Sequence, residues 1–138
     1  MKRQHKVKWT GALSFTGPTP EGHSAVLDGD KAIGMSPMDM LLLGTAACAS
    51  IDLVMILQKS RQKVIDAWVE VGGERREEMP RYFTHIEMHF VVKGIGVKAT
   101  AVERGIELAM AKYCSASAQM AALADIQTSY EIIESELP

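Results

Sequence analysis

The chain has 138 residues, 47% of them hydrophobic and 23% charged, with a formal net charge of −2 at pH 7. That length and balance suit one globular domain over residues 1–138, with a core large enough to fold without disulfide or metal staples. Acidic and basic residues are interspersed, which argues against a basic nucleic-acid footprint and against an acidic interaction tail.

The basic N-terminus, Met1 to Trp9, has neither the apolar run nor the small-residue cleavage site of a signal peptide. The longest charge-free apolar stretch, Met40 to Ile51, falls short of the roughly 20 residues that span a bilayer. A cytoplasmic protein is expected, with no nucleic acid and no membrane as partner.

Between Lys6 and Thr16 the odd positions are Val7, Trp9, Gly11, Leu13 and Phe15, and the even ones are mostly polar, the period of a half-buried strand or hairpin. Gly17 to Gly22 supplies turn chemistry, Ser24 to Leu27 reads as a short strand, and Asp28-Gly29-Asp30 turns again. Ser36-Pro37-Met38-Asp39 then opens a helix. Ser36 is the N-cap, Pro37 sits where its missing N–H costs nothing, and Asp39 completes the cap. The helix runs to about Gln58–Arg61, where basic residues meet the negative end of its dipole. Leu41, Leu42, Leu43, Ala46, Ala47, Leu53, Val54, Ile56 and Leu57 surround it on most sides, so protein should sheath it almost everywhere. A chain of this size covers such a helix poorly, and a partner subunit is expected.

Val64 to Val71 and Tyr82 to Val92 predict a β-hairpin around a charged tip, Glu74 to Glu78. The second arm alternates, with Tyr82, Thr84, Ile86, Met88, Phe90 and Val92 on a dry face and Phe83, His85, Glu87, His89, Val91 and Lys93 on the other, which is expected to be wet. Thr100-Ala-Val-Glu103 reads as a capping box for an amphipathic helix that ends at Cys114. A short alanine-rich helix, about Ser117 to Ala124, leads to a last strand, Ile126 to Ile133. Strands and helices in blocks give an α+β class.

Chemistry, if present, centres on the only two cysteines, Cys48 and Cys114. Their spacing fits neither a disulfide framework nor a zinc motif with close Cys or His pairs. Cys48 shares a helix face with Thr45 and Asp52, a polar seam across an apolar helix. It lies too far from the helix N-terminus for the dipole to activate it, and close packing of a small buried residue explains it as well. Cys114 falls between two helices, where the free N–H groups of Ser115 to Ser117 would favour a thiolate; simple corner-filling is the other reading. His85, Glu87 and His89 alternate on one strand face and could ligate a metal, although a solvated face accounts for them better. The nine methionines read as core filling.

The segment Ser36-Pro-Met-Asp-Met-Leu-Leu-Leu-Gly-Thr-Ala-Ala-Cys48-Ala-Ser-Ile-Asp-Leu-Val, followed by Lys112-Tyr-Cys114-Ser, resembles the paired cysteine motifs of the OsmC/Ohr family (osmotically inducible and organic hydroperoxide resistance proteins). Glu74-Arg-Arg-Glu-Glu and Phe83-Thr-His-Ile add similarity to its YhfA-like branch. The resemblance implies an OsmC-like fold with antiparallel sheets and a long buried central helix, in an intertwined homodimer. It also implies a peroxidase cycle of oxidative stress defence. Cys48 would attack an organic hydroperoxide and become a sulfenic acid, Cys114 would resolve it as a disulfide, and a lipoyl-type dithiol would regenerate the pair. No cofactor and no metal is required.

Two departures accompany the resemblance. The peroxidases carry an activating Arg in the N-terminal strand region, and this chain has no Arg between Arg3 and Arg61. They place a Glu after the helix-opening Pro, where Met38 stands here and Asp39 follows with a capping role. Lys31 and Arg81 are the alternative cations. The competing expectation is a non-catalytic small-molecule binder or slow redox sensor on the same fold.

Overall fold

The computed structural model describes residues 5–136; the start of the basic N-terminal segment, including Arg3, lies outside them. The chain forms two compact units, residues 1–41 and 42–138. In the first, β1 (Lys8–Gly11), β2 (Ser14–Pro18) and β3 (Ser24–Asp28) make an antiparallel meander in that order. Gly11 and Ala12, both at positive φ, turn β1 into β2, and the Trp9 indole N–H donates to the Ala12 carbonyl at 2.8 Å.

The alternation read from the sequence is present, but its apolar side is uncovered. Val7, Trp9, Leu13 and Phe15 are exposed, and Ser14 is the buried residue. Asp28 organises the loop after β3. Its carboxylate accepts from the backbone N–H groups of Asp30, Ala32 and Ile33 at 2.8–3.0 Å, so one side chain ties the loop together. These bonds and the Ser14 hydroxyl hold Asp28 below its usual pKa. The loop delivers Ser36 to the start of α1 (Pro37–Lys59). There Ser36 Oγ accepts from the Asp39 N–H at 3.1 Å and Asp39 Oδ2 accepts from the Ser36 N–H at 3.3 Å, the reciprocal cap that the sequence predicts.

In the second unit the hairpin is longer than its pattern suggested: β4 (Lys63–Arg75) pairs antiparallel with β5 (Phe83–Ile95). Gly72 and Gly73 belong to the strand. A Cβ at Gly73 would stand 2.8 Å from the Phe83 ring and 3.0 Å from Leu42 Cδ2, so close packing rather than turning accounts for it. Ile86, Met88, Phe90 and Val92 are buried as expected, together with Phe83 and Val91 from the other register.

Two expectations need correction here. The sheet is mixed rather than antiparallel, because β6 (Asp125–Glu134) pairs parallel to β5. The physical reason is the crossover: α2 (Ala99–Leu108), a π-helical turn (Ala109–Tyr113) and α3 (Ser115–Met120) carry the chain back to the starting end of β5 before β6 begins. The Thr100–Glu103 capping box does not form, since α2 starts from Lys98 without a side-chain cap. Glu103 instead accepts from the Tyr130 hydroxyl at 2.6 Å and ties α2 to β6. The chain by itself covers α1 only in part, in line with the expectation that a chain of this size sheathes such a helix poorly. Ala46, Ala49, Leu53 and Leu57 are inside, whereas Leu43, Ala47, Ile51 and Met55, one helical turn apart, are exposed.

Leu53 meets α2 at Gly105, where a Cβ would lie 2.7 Å from Leu53 Cδ1, so the absent side chain leaves room for the Leu53 methyl. By length and composition α1 could also cross a membrane. Its buried small residues and its polar seam are those of a helix packed against protein.

Candidate functional site

The seam on α1 and the break between α2 and α3 converge. Cys48 and Asp52 sit one turn apart on α1, which aligns their side chains. Cys114 is held by the π-helical turn, whose extra residue per turn lets the Cys114 N–H donate to the Ala109 carbonyl at 2.7 Å. Its extended backbone makes it the N-cap of α3, with Sγ accepting from the Ser117 N–H at 3.3 Å. Cys48 Sγ, Cys114 Sγ and an Asp52 carboxylate oxygen all lie within 4.8 Å of one another. The Cys114 thiol also points at the Thr45 carbonyl, 4.0 Å away.

Cys114 is 3% exposed and Cys48 is half-buried, so the pair is reachable from the Cys48 side. Asp52 is half-buried, yet its Oδ2 is shielded from solvent and has no hydrogen-bond partner among the described residues. An unpaired buried carboxylate oxygen beside two sulfurs is costly unless something else engages it.

The electrostatics differ from the sequence expectation at Cys114. The Ser117 amide does reach the sulfur, but burial pushes the thiol up, outweighing the downward pull of the Ser117 hydroxyl and N–H, and the adjacent Cys48 adds to the rise. Among the described residues no basic side chain is one of the groups that shift it. Of the two alternative cations, Lys31 pairs with Asp39 at 3.1 Å, and the Arg81 Nε donates to the Arg76 carbonyl at 3.2 Å.

The His85, Glu87 and His89 stripe does not gather into a metal site among the described residues. Both ring nitrogens of His89 are engaged, by Ser129 Oγ at 2.8 Å and Glu131 Oε1 at 2.9 Å. Asp52 is the site residue that sequence reasoning noted without assigning a role. Its i, i+4 spacing from Cys48 was the available signal, but only the arrival of Cys114 gives that spacing chemical meaning.

The chain is α+β and brings two distant cysteines together, one on a long helix and one at a helix break. The chain belongs to the OsmC-like family, whose model matches residues 28–129. It is similar to protein YhfA of Escherichia coli strain K12, with 45% identity over 133 residues that cover 94% of this chain and 98% of that one. Among solved structures, a hypothetical protein from Aquifex aeolicus superposes with a TM-score of 0.89 at 27% identity, covering 99% of each chain. The organic hydroperoxide resistance protein OhrB of Bacillus subtilis superposes with a TM-score of 0.64 at 16% identity, covering 93% of this chain and 98% of that one, a likeness of fold.

Proposed function

We propose that this protein is a thiol peroxidase acting on organic hydroperoxides, with Cys48 as the attacking and Cys114 as the resolving residue. The approach of the two sulfurs to within 4.8 Å is the observation that carries the reading. Disulfide formation needs about 2.05 Å, a gap that side-chain rotation and small helix adjustments can close. The name of the Bacillus subtilis relative, an organic hydroperoxide resistance protein, agrees in substrate class.

In the proposed cycle the Cys48 thiolate attacks one peroxide oxygen. An S–O bond forms, the O–O bond breaks, and the alkoxide leaves as the alcohol after taking a proton. Cys114 then attacks the sulfenic sulfur, the S–S bond forms, and water departs. A lipoyl-type dithiol returns both thiols by exchange, and a reducing compartment such as the cytoplasm keeps the pair ready. Cys48 is the better attacker because it is the accessible sulfur, whereas burial holds Cys114 protonated.

The same reading makes the protein a homodimer. The exposed Leu43, Ala47, Ile51 and Met55 stripe is a seam of the kind that a second copy would cover. A slow redox latch is the second reading, favoured by the raised Cys114 thiol and by the engagement of Lys31 and Arg81 elsewhere.

The test is lipoyl-dependent reduction of an alkyl hydroperoxide by wild type, Cys48→Ser and Cys114→Ser. Turnover by the wild type, lost in Cys48→Ser and stalled at one equivalent in Cys114→Ser, is expected. Equal slow rates in all three would sink the peroxidase and leave the latch.

A further inference from the structure

We propose that Cys48, Asp52 and Cys114 form a binding site for a thiophilic divalent cation, best suited to Zn2+. Two sulfurs and one carboxylate oxygen lie within 4.8 Å of one another. Tetrahedral zinc, with ligands at about 2.0–2.3 Å, asks for donors roughly 3.3–3.8 Å apart. The site therefore has to tighten by at most about 1.0–1.5 Å, within reach of side-chain rotation. Three protein ligands and an open fourth position is the arrangement of an accessible rather than a closed zinc site, and the half-buried Cys48 leaves that fourth position on the reachable side.

A second, independent observation points the same way. Asp52 Oδ2 is shielded from water and has no hydrogen-bond donor among the described residues. Its neighbours in the site are two thiols, which are weak donors. A carboxylate oxygen so placed has no donor among the described residues, and a bound dication would engage it. Soft sulfur donors select Zn2+ over Mg2+ and Ca2+, which prefer all-oxygen shells. Both sulfurs bind as thiolates, so binding releases protons and the affinity rises with pH. The cation would occupy the sulfur lone pair that Cys48 needs to attack a peroxide. Metal-bound and peroxide-reactive forms would then exclude each other, although binding itself does not depend on turnover.

Co2+ added to the reduced, chelator-stripped full chain provides the optical probe. The expected result is one Co2+ per chain, with thiolate-to-cobalt charge-transfer absorption and tetrahedral d–d bands that one equivalent of Zn2+ removes. Cys48→Ser and Cys114→Ser should each weaken the charge-transfer band by half or more. Asp52→Asn should keep both thiols but lower Co2+ affinity at least about tenfold. Asp52→His, which offers an imidazole donor, should bind with shifted d–d bands, and it covers the case in which the Asn variant fails to fold. Absence of charge transfer in the wild type overturns the site. Unchanged affinity in Asp52→Asn, or unchanged d–d bands in Asp52→His, overturns the role of Asp52. Peroxide turnover is assayed separately on chelated protein, so failure of either reading leaves the other standing.

Discussion

Cys48 and Cys114, one in the middle of a 23-residue helix and the other capping a helix far along the chain, bring their sulfurs within 4.8 Å of each other. Mild oxidation of the wild type should therefore give an intramolecular disulfide. Both free thiols should disappear in a thiol count, the protein should show no intermolecular ladder on a non-reducing gel, and dithiol treatment should restore both thiols. Retention of two free thiols under conditions that oxidise glutathione would show that the approach does not mature into a bond.

Alkylation should separate the two sulfurs. Burial raises the Cys114 thiol above its reference value of 9.0, so its thiolate becomes abundant only at still higher pH. With Cys48→Ser, which isolates Cys114, iodoacetamide labelling followed by mass spectrometry should remain slow at neutral pH and climb only in the alkaline range. Rapid labelling at pH 7 would place the activated thiol at Cys114.

The exposed side of α1 should control assembly. Ile51 is 60% exposed and Met55 49%. If a second copy covers them, Ile51→Glu buries an unpaired charge in the interface and should convert a dimer to the 15.1 kDa monomer in sedimentation. A wild type that sediments as a monomer at all concentrations would remove the dimer from the proposal.

Acid should loosen the first unit through Asp28. Its folded pKa is depressed below 3.8 by the backbone donors of Asp30, Ile33 and Ala32. The stability it contributes is fully present above pH 3.8 and lost as pH falls through the lower folded value. Asp28→Asn should thus be less stable than wild type at neutral pH, with the difference shrinking under acid, as read from thermal melts across pH. A difference that stays constant with pH would mean that the carboxylate charge is not what holds the loop.

Gly94 should not tolerate a side chain. A Cβ there would overlap the Lys63 carbonyl oxygen and press on Val97 Cγ2 at 2.6 Å, where the hairpin strands end. Gly94→Ala should cost about 1–3 kcal/mol in denaturant unfolding, whereas alanine at Gly44, which meets nothing within 4 Å, should not destabilise the helix and should gain from propensity.

Much of the architecture was legible because it rests on local rules. The Ser36–Asp39 cap, the extent of α1 and the dry face of β5 follow from capping chemistry and from the 3.6- and 2-residue periods, which depend on neighbours a few residues away. Local rules failed where a distant partner competed. Thr100 and Glu103 have the spacing of a capping box, yet Glu103 is taken by Tyr130. The turn-like Gly72-Gly73 lies inside a strand, where Phe83 and Leu42 crowd the Gly73 position.

The sequence by itself determined the family through its two cysteine motifs, that Cys48 shares a helix face with Asp52, and that a long apolar helix follows the Ser36 cap. Tertiary structure alone decided that Cys114 joins that face, that Asp52 Oδ2 is left buried without a donor among the described residues, and that burial at Cys114 outweighs the helix-start amide meant to activate it. Spacing along a helix is set by backbone geometry and can be read from a chain. Desolvation and the approach of distant segments depend on what packs around a group, and that is fixed only when the whole chain has folded.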